Sequence, residues 1–331
     1  MPPLELLVAL VMWAALVIYT LTGGADFGGG VWDLLATGPR KLEQRRLVAS
    51  AIAPIWEANH VWLILVVVLL FVCFPSAFAA ISTALHVPLT LMLIGIVLRG
   101  AAFVFRAYDP AHKDTATGGW RLVFAISSAV TPVMLGVVLG AVASGRMTLV
   151  DGVAQTDFVS EWWAPFPFAL GAFVLAMCAM LAATWLTVET GDVALQHDLR
   201  RRALGSAAAV AGLAWLTLLL AEDGAPHLHA ALTGAPWALP FQVATASVGV
   251  AGVWALWTAR YRQARWLVGA QVVAVIGGFG LAQWPFLIAP DLTFAQAAAP
   301  EVVLRPVLAA LGLGAVVLLP AFGWLYRVFK G

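Results

Sequence analysis

The chain has 331 residues, of which 62% are hydrophobic and 11% charged, with a formal net charge of +1. Soluble proteins carry about 25% charged residues, so this composition excludes an ordinary soluble fold, and the near-neutral balance argues against a nucleic-acid partner. The two cysteines, Cys73 and Cys178, lie far apart in apolar segments and suggest neither a disulfide framework nor a zinc site.

Apolar runs of about 20 residues, the length a bilayer core requires of a helix, recur along the chain. In chain order they predict nine membrane helices near 3–24, 50–73, 77–106, 121–144, 162–187, 203–221, 238–259, 266–288 and 302–326. Clusters of Gly, Pro and charged residues separate them: Gly38 to Arg46, Asp109 to Trp120, Gly145 to Asp157, Glu189 to Arg202, Glu222 to Pro236, Arg260 to Arg265 and Ala289 to Pro300. No loop is long enough for an extramembrane domain, so residues 1–331 read as a single all-α transmembrane domain. Glu5 and the lack of a basic region before the first run argue against a cleaved signal peptide. Pro88 and Pro132 predict kinks in the third and fourth helices, whereas Pro165 and Pro167 sit at the start of the fifth.

Basic residues set the orientation. The odd-numbered loops and the tail, from Arg40 and Lys41 to Arg327 and Lys330, hold 15 of the 18 Lys and Arg residues. By the positive-inside rule the N-terminus is outside and the C-terminus cytoplasmic, which requires an odd number of spans.

Two motifs interrupt this apolar pattern: GGADFGGG at 23–30 and IWEANHVW at 55–62. They carry Asp26, Glu57, Asn59 and His60 on or inside helices, and a charge at the bilayer centre costs roughly 2.5–3.5 kcal/mol, which makes such residues functional candidates. Asp26 is expected at or just past the cytoplasmic end of the first helix. Glu57 is expected roughly 10–15 Å deep in the second, sharing a face with His60, and Arg99 roughly 10 Å above the same boundary in the third. Asp26, Glu57, Arg99 and His60 can therefore converge in one half of the membrane. The structural alternatives are a buried ion pair of Arg99 with Glu57 or Asp26, a headgroup-level Asp26, and histidines satisfied by backbone carbonyls. The glycines permit a turn and a close backbone approach, but with no Lys-Ser/Thr after them they form no phosphate loop. Tryptophans such as Trp56, Trp62 and Trp162 fit an aromatic belt. His60 and His86 lie inside predicted spans and are the only weak candidates for haem ligation, since His112, His197, His227 and His229 fall in loops.

At these residues the chain resembles subunit II of the cytochrome bd-type quinol oxidases. The resemblance rests on DFGGGVWDLL at 26–35, the basic stretch Gln44–Arg46, AIAPIWEANHVWLI at 51–64, FPSAFAA at 74–80 and the segment from Arg99 to Arg106. Proline-aromatic starts at 165–168 and 284–286 and the nine-span layout are similar too. It implies two four-helix bundles plus a peripheral helix, in the bacterial cytoplasmic membrane. It further implies a haem-bearing partner, subunit I, that holds haems b and d, or b only, and oxidises quinol. Oxygen is then reduced to water with protons taken from the cytoplasm, so turnover generates a proton-motive force. By the same resemblance, Asp26 and Glu57 match acidic pathway positions, with Asn59 and His60 beside them, and Arg99 and Trp56 match charge-tuning or structural positions. A bound structural quinone and small accessory subunits are compatible with it.

The chain departs from some members, which carry Asp at the Glu57 position and Gln at the His60 position, so His60 is not an obligatory ligand. It also lacks an additional acidic residue before Asp26 and has compact loops after the fifth and sixth helices. The leading expectation is thus a non-haem oxidase subunit that ligates no cofactor or metal and is not catalytic by itself. The alternatives are a proton-coupled secondary transporter, which would show inverted repeats and broken helices that are not evident here, and a bis-His cytochrome b.

Overall fold

The computed structural model describes residues 3–52, 56–108, 119–150 and 152–330. Helix α1 (Leu4–Leu34) is followed by α2 (Lys41–Ile52), α3 (Trp56–Cys73), α4 (Pro75–Ala84), α5 (His86–Tyr108) and α6 (Gly119–Ala143). An antiparallel hairpin of β1 (Thr148–Val150) and β2 (Val153–Gln155) leads to α7 (Pro165–Glu189), α8 (Val193–Gly224) and the short α9 (Pro226–Gly234). Then come α10 (Ala238–Trp257), α11 (Tyr261–Gln283), a second hairpin of β3 (Phe286–Ile288) and β4 (Leu292–Thr293), the single turn α12 (Phe294–Ala297) and α13 (Glu301–Lys330). Among the described residues eight helices are long and apolar enough to cross a bilayer, and α2 with α3, bent by 56°, makes a ninth if the pair is one span.

Three predicted boundaries move. The first helix continues to Leu34 instead of stopping near residue 24, so the glycine-rich motif is helix and not turn. The reason is packing. A Cβ on Gly28 would run into the carbonyl oxygen of Cys178 in α7, and one on Gly30 into the Ser128 side chain in α6. An interior glycine costs about 1 kcal/mol of helix propensity, and the close backbone contact it permits between membrane helices offsets this. Trp32 adds a second tie, its Nε1 donating to the Ala179 carbonyl at 2.8 Å.

The predicted third helix is two helices, α4 and α5, separated at Leu85. Pro88 lies in the first turn of α5, where a missing N–H is tolerated, so it marks a start and not a kink. The sixth helix begins ten residues earlier than the predicted residue 203, at Val193, with Asp192 accepting from the Ala194 and Leu195 amides as its N-cap. His197 is therefore helical, as are His227 and His229 in α9. Most of the third loop, with His112 and Lys113, lies outside the described residues, as do the side chains of Trp56, Arg106 and Lys330.

Helix α7 is the central element, packed against α6, α8, α1 and α11. Its prolines, Pro165 and Pro167, occupy the first turn as expected. The two ends of the molecule differ in chemistry. At one end Arg40 donates from Nε and Nη2 to Asp198 Oδ2 at 3.0 and 2.7 Å, and Arg202 reaches the Leu35 carbonyl and lies over the Trp32 ring. Arg200 stacks on Trp257 and Arg265 on Trp185, so the first, fifth and seventh basic loops gather there. At the other end Ala289 N–H donates to the Val142 carbonyl, Leu149 N–H to Asp291, and Ala299 N–H to the Cys73 carbonyl, tying the even-numbered loops together.

Candidate functional site: a buried polar cluster on α1, α3 and α5

Asp26 lies eight residues before the end of α1, roughly 12 Å from the basic end at 1.5 Å per residue, and is 5% exposed. It is thus two helical turns inside, deeper than the sequence suggested. Asn59, fully buried on α3, donates from Nδ2 to Asp26 Oδ2 at 2.6 Å. That short contact suits a charge-assisted hydrogen bond.

Arg99 arrives from α5, nine residues before that helix ends, and is 2% exposed. It lies within electrostatic reach of Asp26 and Tyr19. Its guanidinium carbon is 4.8 Å from the Phe27 ring centroid and 5.5 Å from that of Phe124. Cation–π contacts contribute about 0.5–2 kcal/mol each, too little to replace the hydration of a buried guanidinium. Among the described residues Arg99 Nε and Nη2 have no hydrogen-bond acceptor, which makes them donors available to internal water.

His60 joins the cluster, its ring centroid 5.9 Å from Tyr19 and 6.1 Å from Phe27. Of the expected set Asp26, Glu57, Arg99 and His60, the structure gathers Asp26, Arg99 and His60, with Asn59 beside them. Glu57 is different. It stands in the first turn of α3 and is exposed in this chain, and residues 53–55 before it lie outside the described residues. The backbone of Trp56 opens the same turn.

His60 and His86 do not act together. His86 is exposed at the first residue of α5, with Nδ1 3.1 Å from the Thr83 carbonyl and its ring against Phe158. It lies thirteen residues before Arg99, about 20 Å along the helix. The ring of His60 is packed by Tyr19 and Phe27. The two histidines therefore do not form a pair. Among the described residues no three His, Cys, Asp or Glu side chains come close enough to share a metal ion.

Sequence reading missed Tyr19, Phe27 and Phe124, the rings that enclose the cluster. Tyr19 sits seven residues before Asp26 on α1, a two-turn spacing that places both on one face, and this would have found it once the helix was known to be continuous.

With this geometry in hand, known proteins place the chain. It matches the family described as cytochrome bd terminal oxidase subunit II over residues 4–329. A protein of Bacillus subtilis (strain 168), provisionally named cytochrome bd menaquinol oxidase subunit II, is 21% identical over 96% of this chain and 93% of its own length. Cytochrome bd-I ubiquinol oxidase subunit 2 of Escherichia coli (strain K12) is 28% identical over 63% of this chain, a match that spans 54% of that protein. In structure, a chain of the bd oxidase from Geobacillus thermodenitrificans superposes with a TM-score of 0.78 at 20% identity, covering 99% of this chain and 98% of that one, which is a likeness of fold. A multi-pass helical membrane protein with this match along nearly its whole length belongs to the cytochrome bd terminal oxidase subunit II family.

Proposed function

We propose that this chain is the non-haem subunit of a quinol:oxygen oxidoreductase and that the Asp26 cluster is part of its proton route. The observation that carries the proposal is the buried carboxyl of Asp26, held by Asn59 and Arg99 two turns inside the membrane domain. A purely structural acid would be cheaper to replace by an apolar residue, since a buried ion pair seldom gains stability over well-packed hydrophobic side chains. Asn59 engages Oδ2 of this carboxyl, and a carboxyl is a group that can take up and release a proton. Arg99 brings a positive charge within reach of that carboxyl, and among the described residues its Nε and Nη2 donors have no acceptor. Glu57, exposed on the first turn of α3, is then the group from which a partner collects protons, with His60 one turn further along the same helix.

In this reading α2 and α3 form one span, giving nine. Eight helices make two four-helix bundles with α13 peripheral, the N-terminus lies outside, and the C-terminus and basic end face the cytoplasm. The basic loops gathered at one end support that orientation. The whole chain acts as one transmembrane domain in a bacterial cytoplasmic membrane, paired with haem-bearing subunit I and open to small accessory subunits or a bound structural quinone. The partner's haems, b and d or b only, supply electron transfer from quinol and the reduction of oxygen. This chain moves protons and ligates no cofactor.

The test is Glu57→Gln in the purified two-subunit complex, with haem content measured in parallel. Quinol-driven oxygen consumption is expected to fall about ten-fold or more at full haem content, the scale of a lost proton-transfer group. Unchanged turnover removes Glu57 from the route. A chain that purifies colourless and transports protons alone overturns the oxidase reading in favour of a transporter.

A further inference from the structure

Beside Asp26 a cleft of about 70 Å³ opens between α1, α2, α7 and α11. At roughly 10–15 Å³ of such volume per water it holds a short file of about five. Its charged lining is Asp26, Glu189 and Arg265, and α2 contributes only the apolar Val48, Ala51 and Ile52. On α7 the lining residues are Ala182, Trp185, Leu186 and Glu189, a spacing of i, i+3, i+4 and i+7 that makes one stripe running about 10 Å to the helix end. Asp26 is the buried end of this path, and Glu189 the exposed one.

Two further observations concern the wall of the cleft. Trp185 Nε1 is buried with no acceptor among the described residues, an arrangement that costs about 1–3 kcal/mol unless water completes it. Arg265 lies over the same indole, 5.0 Å from its ring centroid, and so fixes the donor at the cleft wall. The mouth is also at the basic end, beside the loop that holds Asp192. Asp192 itself is occupied in capping α8.

We infer that this cleft is the proton entrance to Asp26, with Glu189 as the collecting carboxyl at its mouth. The inference rests on the reading of Asp26 as a proton carrier and adds where the proton comes from. Glu189 takes a proton from bulk water and passes it to the first water of the file. Each water gains one proton and releases one, and the last is left on Asp26. Entry thus runs through this subunit, between helices of its own, and not along its surface with a partner.

The experiment uses the intact two-subunit complex and three variants. Glu189→Gln removes the collector, Ala51→Leu plugs the cleft without touching a charge, and Asp26→Asn tests the underlying reading. The first two are each expected to slow quinol-driven oxygen consumption about five- to ten-fold at about pH 8, where protons are scarce, with unchanged haem content and KM for quinol. The Glu189→Gln defect is expected to shrink at about pH 6, a shift in pH profile that a packing defect would not give. Should Ala51→Leu assemble poorly, Ala51→Cys modified after purification by a water-soluble thiol reagent places the plug in a folded complex, since both native cysteines are buried. Wild-type turnover in either the collector or the plug variant overturns the entrance, provided Asp26→Asn is slow. Wild-type turnover in Asp26→Asn overturns the proton-carrier reading itself.

Discussion

Helices α7 and α13 are both apolar enough to span a bilayer, yet 72% of the most apolar stretch of α7 is buried and only 6% of that of α13. Hydropathy does not separate them. What does is the placement of small residues: α7 presents Gly171 to Gly136 of α6, and its Cys178 carbonyl and Ala182 to Gly28 of α1, so backbones meet. Along α13, by contrast, Leu313, Val316, Val317 and Trp324 stand exposed, and the glycines Gly312, Gly314 and Gly323 face no neighbour. In a membrane, where lipid tails are as apolar as leucine, close packing and not hydrophobicity decides which helix is interior.

The largest effect that would break this contrast is Gly28→Leu. Ordinary overpacking costs about 1–3 kcal/mol, and here the obstacle is α7 backbone that no rotamer change can move, so the cost is expected to exceed that range. Loss of assembled, haem-containing complex on size-exclusion chromatography is the readout. Val316→Ala on α13 is expected to change the melting of the complex by less than about 0.5 kcal/mol, as for an uncovered surface site. A larger loss would mean that a partner covers this face.

The smallest effect is local and concerns the connection that leads into α7. The Val159 and Ser160 amides donate to Asp157 Oδ1 at 2.9 and 2.7 Å and hold that carboxyl below the usual carboxylate range, the Ser160 amide foremost. A depressed folded value means that the turn gains stability above the ordinary carboxylate pKa, about 3.9, and loses it as pH falls through the lower folded value. Amide exchange of Val159 and Ser160, corrected for intrinsic rates, is expected to lose protection there while the helices keep theirs.

Much of this architecture was legible because bilayer thickness sets helix length, and so the apolar runs appear in the right order. The glycines of 23–30 misled because their usual cost in a helix was weighed without the α7 backbone that compensates it. Pro88 misled similarly, since proline is compatible with both a kink and a first turn, and only the break at Leu85 decides. The meeting of Asp26, His60 and Arg99 was readable from depth, by counting residues from predicted helix ends, whereas the hydrogen bond from Asn59 was not. The bent segment α2 was not readable, because the charged Gly38–Arg46 stretch reads as a loop although part of it is helical. Trp185, Glu189 and Arg265 carried no motif. They are separated in sequence from Asp26 by at least five intervening helices, and only tertiary packing brings them beside it.

The glycine contact between α1 and α7 has a mechanical consequence. Backbone-to-backbone packing at Gly28, with the indole of Trp32 hydrogen-bonded to the Ala179 carbonyl, locks these two helices as one stiff plate. Asp26 belongs to one half of that plate and Glu189 to the other. Any valve in the water file must therefore be hung on the opposite wall, where α2 and α11 meet the plate through side chains alone.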